Sequence, residues 1–349
     1  MQATGYAYAE PKSGFKQIEY DLECGEDDAI VKVAGCGLCH TDVGFYYGDV
    51  KPRAEFPLVL GHEISGVVTE TGANFSALKG KQVIIPSVMP CGECPNCKAG
   101  VSNTCINQFM PGNDGQGGFA DFIKVPAKYL AELPDDLGKY ELADLSVIAD
   151  AVTTPYQSVL RSGLKDGDVA VVIGVGGVGT YGVQIAKAKG AYVIAIDIDD
   201  NKLERIKNYG ADEILNVRDL SPRDAKKAVK GLVKEAGKPN FAWKIFEMSG
   251  STPGQELGYA LIPASGTLAV VGFTMAKLEL RLSNLMAFDA NCFGNWGCEP
   301  ALYKDAIEMV LNGQIDMKPF ITQHSLSEIS PLFEAAHKGE LPERAILVP

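Results

Sequence analysis

Apolar positions along the chain follow two rhythms, and the change between them falls near residue 152. Before it, short runs at 29–33, 64–69 and 82–85 stand between glycine and proline turns, the texture of β-strands, and sustained helical spacing is scarce. After it, buried-type runs alternate with helical spacings, as in a layered α/β arrangement. Residues 169–173 are continuous and β-branched, as in a strand covered on both faces. A helical stretch with Val183, Ile185 and Ala186 closes near Gly190, and a second buried run covers 192–196. Helices are predicted at 202–209, 221–236 and 253–261, and strands at 241–246 and 266–271. A buried edge strand is expected near 273–282. Beyond about 293 the pattern gives one helix, 301–311, and then short segments. No repeat, low-complexity tract or linker separates the two textures, so the joins are short.

The glycines between the first two runs sharpen that pattern. Gly174-x-Gly176-x-x-Gly179 follows the first strand and opens the helix, and Asp197 ends the second strand. Strand, glycine turn, helix, strand and acid form a dinucleotide fingerprint. Gly174 allows the tight turn, Gly176 the close approach of a pyrophosphate, and Gly179 helix–strand packing. The helix N-terminus offers free N–H groups to phosphate. A carboxylate at 197 accepts ribose hydroxyls and repels a 2′-phosphate, and Ile198-Asp199-Asp200 add no basic residue. NAD is therefore expected over NADP.

Length and charge set limits. At 349 residues the chain is long enough for two domains. A net charge of −12 argues against nucleic acid as a partner, and an anionic ligand would need a local basic pocket. No apolar run reaches the roughly 20 residues needed to span a bilayer, and no secretory signal is visible, so a cytoplasmic location without membrane contact is expected. Nine cysteines in such a chain point to metal or reactive roles rather than a disulfide framework.

Those cysteines fall into two groups. Cys91-x2-Cys94-x2-Cys97-x7-Cys105 has the spacing of a closed tetrahedral zinc site, with an iron–sulfur cluster as the competing reading. Cys36-x-x-Cys39 could be a redox pair, but no βαβ helix start is predicted there. Cys39 precedes His40-Thr41-Asp42, and the next imidazole is His62 in Gly61-His62-Glu63. Thiolate and imidazole are preferred zinc donors, and a catalytic site needs about three protein ligands with one position open.

Taken together, Cys39-His40-Thr41-Asp42, Gly61-His62-Glu63, the four-cysteine lobe, Gly117-Gly118-Phe119-Ala120 and the glycine fingerprint resemble the zinc-dependent medium-chain alcohol dehydrogenases over essentially the whole chain. The resemblance implies an α/β protein. Residues 1–151 and 294–349 would form a β-rich GroES-like catalytic domain, and 152–293 a doubly wound parallel-sheet Rossmann domain binding NAD. It implies two zinc ions per subunit, with the catalytic one in the cleft between domains. Cys39 and His62 would be catalytic ligands, Glu63 an acid that approaches the metal during exchange, and Asp42 the carboxylate orienting an imidazole. The family's usual third cysteine is missing. Ala149-Asp150-Ala-Val-Thr-Thr-Pro-Tyr156 is similar to a branch with aspartate there, so Asp150 is the expected third ligand.

The same resemblance assigns Thr41 to the substrate's hydroxyl proton, while Gly44 stands where many members carry a relay histidine. His40 and Arg344 match positions that contact the pyrophosphate, although a solvated surface arginine is an equal reading of Arg344. Lys202 would lie beside the adenine ribose, and Gly177, Val178 and Val271 complete the cofactor set. The family forms dimers and tetramers, and residues 273–282 are a candidate contact.

Three segments narrow the likeness: Tyr46-Tyr-Gly-Asp-Val-Lys-Pro-Arg53, Met89-Pro-Cys-Gly-Glu-Cys and Pro111-Gly-Asn-Asp-Gly-Gln-Gly-Gly. They resemble a branch that oxidises the ring alcohol of a cyclic enoyl-CoA ester, with Lys51 and Arg53 as candidate phosphate contacts and ring-diene reduction as a side activity. Two other classes share the nucleotide fingerprint. A zinc-independent quinone or enoyl reductase would not need Cys39, His62 or the four-cysteine lobe. A non-catalytic NAD-binding protein would not need an open zinc site.

Overall fold

The computed structural model describes all residues from Met1 to Pro349. Two compact units are present, one of Met1–Thr153, Gly297–Leu311 and Met317–Pro349, the other of Thr154–Trp296 and Asn312–Asp316.

The first unit is built on a seven-stranded sheet. Its strands run in the order Ile321–Ser325, Arg344–Val348, Asp28–Gly37, Glu63–Thr71, Gln82–Ile85 and Ala131–Glu132, with Phe122–Pro126 also paired to Asp28–Gly37. A three-stranded sheet of Lys16–Asp21, Gln2–Tyr8 and Leu58–Val59 accompanies it. Within Asp28–Gly37, Lys32 is exposed between buried Val31 and Val33, the alternation of a strand with one face on a core. That core gathers Val31, Val33, Ile64, Val83, Ile85, Phe119 and Phe333. Register matters more for function. Cys36 lies opposite Ile64 and Gly37 opposite Glu63, so the segments carrying Cys39 and His62 leave one strand pair side by side. The C-terminal strand adds Leu347 opposite Cys36 on the other edge.

The second unit holds a six-stranded, wholly parallel sheet. Its order is Glu213–Asn216, Tyr192–Asp197, Val169–Ile173, Lys244–Glu247, Thr267–Val270 and Asn291–Gly294. In sequence terms this is 3-2-1-4-5-6, the doubly wound order whose switch point lies beside the first strand. Val169–Ile173 is buried throughout, as its continuous apolar run requires. Asp199 caps helix Asp200–Lys207, its side chain accepting from the N–H groups of Asn201 and Lys202, so this helix starts two residues before its predicted position.

Several expectations need correction. Residues 273–282 form no strand: Phe273, Met275 and Leu282 are 66%, 67% and 69% exposed, and the sheet edge is taken by Asn291–Gly294 instead. The strand expected from 241 begins only at Lys244, because Ala242 has φ 57°, a left-handed conformation that interrupts extended backbone. The predicted helix at 301–311 is a 3-10 turn, Pro300–Leu302, followed by helix Tyr303–Leu311. The short segments expected after it include a ten-residue helix, Ile329–Lys338, whose Ile329, Leu332, Phe333 and Ala336 are buried at helical spacing. In the first unit, helix His40–Tyr47 also stands where helical periodicity is weak. No helix is long and apolar enough to cross a membrane.

Candidate active site and metal centres

Asp42 joins the two segments that carry the first site. It is wholly buried. Cys39 is the N-cap of helix His40–Tyr47, and its backbone N–H donates to Asp42 Oδ2 at 3.1 Å. Asp42 Oδ1 accepts from the Gly61 N–H at 3.0 Å and faces His62 Nδ1 at 3.1 Å. One carboxylate thus binds donors from both segments and fixes the imidazole, which leaves Nε2 as the free coordinating nitrogen. Gly61 is forced to be glycine: its φ is 101°, and a Cβ there would stand 2.6 Å from Cys36 Sγ.

His62 Nε2 is buried and has no hydrogen-bond partner. Asp150 Oδ2 is 3.5 Å from it and 3.7 Å from Cys39 Sγ, and Thr41 Oγ1 is 3.8 Å from the same sulfur. Ligand atoms of Cys39, His62, Glu63 and Asp150 all lie within 4.8 Å of one another. Burial pushes the His62 pKa down, but the Asp42 charge and hydrogen bond, with Asp150 and Cys39 close by, carry it well above the ordinary value. Burial lifts Glu63 to about 7, with Arg344 opposing and Asp150 adding to the rise. A thiol, an imidazole and two carboxylates converging on an unsatisfied buried nitrogen suit a divalent cation, and the mixed S, N and O donors suit zinc.

Arg344 is not a solvated surface residue. Its side chain is 6% exposed, and Nη1 donates to Glu63 Oε1 at 2.6 Å. The residues are 281 positions apart, and no local pattern announces the pair. His40 and Thr41 are exposed at the start of their helix. Gly44 lies inside that helix, with nothing within 4 Å of an added Cβ. Cys36 is wholly buried in the strand before Cys39, and all nine cysteines are free.

The second group is compact. Cys94 Sγ lies 3.4 Å from Cys97 Sγ and 3.7 Å from Cys105 Sγ, and Cys105 Sγ lies 3.5 Å from Cys91 Sγ. Zinc–sulfur bonds of about 2.3 Å give tetrahedral S···S edges of roughly 3.8 Å, so one ion fits while a multi-iron core would hold the sulfurs farther apart. Backbone N–H groups already point at these sulfurs: Glu93 and Cys94 donate to Cys91 Sγ, and Cys91 and Asn107 to Cys105 Sγ. Such donors favour thiolate and lower Cys91 and Cys94, whereas burial raises Cys97 and Cys105. The Cys97 N–H is the largest influence bringing Cys94 down to about 6.

In the second unit, Gly174 has φ 84°, and a Cβ there would come within 2.5 Å of Ser249 Cα. A Cβ on Gly179 would sit 1.7 Å from Gly174 O, whereas one on Gly176 would meet nothing within 4 Å. The outer two glycines serve packing, and the middle one leaves open space over the loop. Gly177 and Val178 complete the turn into helix Gly179–Ala188. Asp197 Oδ2 accepts from Val175 N–H at 2.8 Å, and Oδ1 accepts from Ile198 and Asp199 N–H groups at 2.7 and 3.1 Å. Its carboxylate is fixed beside the glycine loop. Lys202 is half-buried in the first turn of the next helix, and Val271 follows strand Thr267–Val270 at the sheet's carboxyl end. Sequence reasoning missed Glu247 there. It is wholly buried, its Oε1 accepts from Ser249 and Gly250 N–H groups, and only its place at a strand end hinted at it.

Of the two basic residues considered for phosphate contact, Lys51 is exposed and Arg53 pairs with Asp114 at 3.3 Å.

Comparison with known proteins gives a consistent picture. Residues 25–135 match the alcohol dehydrogenase GroES-like domain, and residues 177–312 match the zinc-binding dehydrogenase family. An alcohol dehydrogenase of Geobacillus stearothermophilus is 32% identical over 324 residues, covering 92% of this chain and 91% of that protein. A 2-dehydro-3-deoxy-L-galactonate 5-dehydrogenase of Pseudoalteromonas atlantica is 31% identical over 297 residues, covering 85% and 82%. The crystal structure of the alcohol dehydrogenase from Aeropyrum pernix superposes with a TM-score of 0.88 at 28% identity, over 99% of this chain and 100% of that one.

Proposed function

The chain belongs to the zinc-type medium-chain alcohol dehydrogenases, and we propose that it oxidises a secondary alcohol to a ketone, passing the hydride to NAD. The observation that carries this reading is the donor set of Cys39, His62 and Asp150 around the unpartnered His62 Nε2. We assign these three as ligands of a catalytic zinc, Glu63 as its exchange ligand, and Cys91, Cys94, Cys97 and Cys105 as ligands of a structural zinc.

Bound there, zinc supplies Lewis acidity toward the substrate oxygen, and a carboxylate ligand donates less charge to it than a second thiolate would. The protein's own residues do the rest. Asp42 holds the imidazole in the tautomer that presents Nε2. Thr41 takes up the alcohol's proton. As it accepts, Thr41 releases its own hydroxyl proton; glycine at 44 offers no imidazole to carry it on, so the outer relay is either missing or completed by water. Gly176 leaves the pyrophosphate room to approach, with His40 a further contact to it, and Asp197 accepts the adenine ribose hydroxyls beside Lys202 and Val271.

For the alcohol we propose 6-hydroxycyclohex-1-ene-1-carbonyl-CoA, oxidised to the 6-oxo enoyl-CoA in anaerobic aromatic degradation. The support is the wording of residues 46–53, 89–94 and 111–118, which resemble that dehydrogenase. Lys51 is exposed and suits a CoA phosphate, whereas Arg53 is held by Asp114. The relatives named for an alcohol and a sugar acid favour a second reading, a general secondary-alcohol dehydrogenase. We also propose a homo-oligomer, dimer or tetramer, in which exposed Phe273, Met275, Leu282, Met286 and Trp296 become covered.

NADH formation with the CoA ester, with simple secondary alcohols and with NADP in place of NAD, before and after chelation, tests these points. Turnover of simple alcohols alone refutes the CoA assignment and keeps the class. Activity that survives removal of all metal refutes the class. Equal use of NADP refutes the role given to Asp197.

A further inference from the structure

We infer that Tyr303 is a positioning residue for Asp150, acting through the backbone that carries it. The inference rests on Asp150 being a metal ligand. Asp150 ends the 3-10 segment Ala143–Ala149, with φ −142° and ψ −55°, so the carbonyl just before it has left the helical hydrogen-bond pattern. Two hydroxyls take up that Ala149 oxygen: Tyr303 Oη through a short hydrogen bond, and Thr153 Oγ1 at 3.2 Å. Tyr303 Oη in turn accepts from the Ser87 N–H at 3.1 Å. The phenol is thus clamped at both its donor and acceptor sides, between the loop after strand Gln82–Ile85 and the peptide leading into Asp150.

Tyr303 is wholly buried. Phenylalanine would fill the same space without a hydroxyl to desolvate, so packing does not explain the tyrosine. What the hydroxyl adds is orientation. The Ala149–Asp150 peptide is a rigid plane, and holding its carbonyl sets the direction from which the Asp150 carboxylate leaves toward His62 Nε2 and Cys39 Sγ. A ligand on a loop is only as well placed as the groups behind it.

The test uses the full-length, zinc-loaded protein and its Tyr303→Phe, Thr153→Val and Asp150→Ala variants. Zinc retained per chain is followed against rising chelator, and the ligand-field absorption is recorded after cobalt exchange. Tyr303→Phe is expected to weaken the catalytic-site metal by about tenfold and to shift the cobalt spectrum, with the four-cysteine ion held as in the parent. Thr153→Val shifts both in the same direction by less. A Tyr303→Phe protein with parental chelator sensitivity and spectrum overturns the inference while Asp150→Ala still loses one metal. An Asp150→Ala protein that keeps both metals overturns the ligand assignment itself. Should Tyr303→Phe fail to fold, judged by loss of the four-cysteine ion, Thr153→Val decides, and a parental result there overturns the inference.

Discussion

Replacing Asp42 by asparagine tests the centre of the site with the smallest change of shape. The wild-type carboxylate serves three groups: the Cys39 N–H at 3.1 Å, the Gly61 N–H at 3.0 Å and His62 Nδ1 at 3.1 Å. An amide has one acceptor oxygen. Placed where Oδ1 was, it keeps Gly61 and His62 but turns its NH2 toward the Cys39 N–H, donor against donor. The opposite orientation leaves two donors opposed. At best, then, one charge-assisted hydrogen bond is lost in a fully buried place, which costs about 1.5–3 kcal/mol. In a unit of about 200 residues, where 1 kcal/mol moves Tm by roughly 2–4 °C, the midpoint should fall by about 3–12 °C. The imidazole then leans on a neutral amide oxygen instead of a carboxylate, and metal affinity at Cys39, His62 and Asp150 should drop about 10–100-fold. Thermal unfolding with metal analysis under a graded chelator measures both. An Asp42→Asn protein with parental Tm and parental zinc retention would refute the reasoning.

The fingerprint glycines predict opposite outcomes. Gly179→Ala drives a methyl to 1.7 Å from Gly174 O and should destabilise the protein by more than about 3 kcal/mol, whereas Gly176→Ala meets nothing and should unfold like the parent while raising the KM for NAD; denaturant titration and cofactor kinetics separate the two, and equal stability of both variants contradicts the packing role. Asp197→Ser removes the carboxylate expected to exclude a 2′-phosphate, so the ratio of kcat/KM for NADP over NAD should rise by at least tenfold, and an unchanged ratio would speak against it. Glu247 carries a pH signature: burial raises its pKa, so the folded protein holds a proton that the unfolded chain has released. Its contribution is full below the unfolded pKa and is lost as pH rises through the folded value. Glu247→Gln should flatten the fall of Tm over that window, and an unaltered slope would show that another group sets it.

Much of this was legible in the chain because its determinants are local. Val169–Ile173 reads as a doubly covered strand since every side chain is apolar, and it lies second from neither edge but within the parallel sheet. The four cysteines converge because loops of two and seven residues leave little freedom, and their S···S distances of 3.4–3.7 Å follow. Elements decided by competition were not legible. Residues 273–282 alternate like a strand, but a sheet edge accepts one neighbour and Asn291–Gly294 occupies it. Helix His40–Tyr47 has almost no apolar periodicity to announce it. It exists because Cys39 and Asp42 close its first turn reciprocally.

The same division runs through the site. Short motifs identify which residues could bind a metal, since thiolate, imidazole and carboxylate are chemical facts about single positions. Where those groups sit is decided by partners far along the chain. Asp42 reaches His62 across 20 residues, Arg344 reaches Glu63 across 281, and Tyr303 reaches Ala149 across 154. The family motif singled out Asp42, but neither Arg344 as the partner of Glu63 nor Tyr303 as the partner of Ala149 could have been chosen from its neighbours: Arg344 reads equally as a pyrophosphate contact or a surface residue, and Tyr303 lies in an ordinary predicted helix. Each is buried or nearly so. A polar group taken out of water must be met, and each of these is met by a group in, or next to, the cluster proposed to hold the metal. Buried polar atoms in this unit are therefore a better guide to its catalytic geometry than further motifs would be. On that reasoning, a substitution that satisfies Glu63 without Arg344, such as Glu63→Gln with Arg344→Met, should retain more stability than either change alone. A strictly additive double mutant, read by denaturant titration, would show that the pair does not act as a unit.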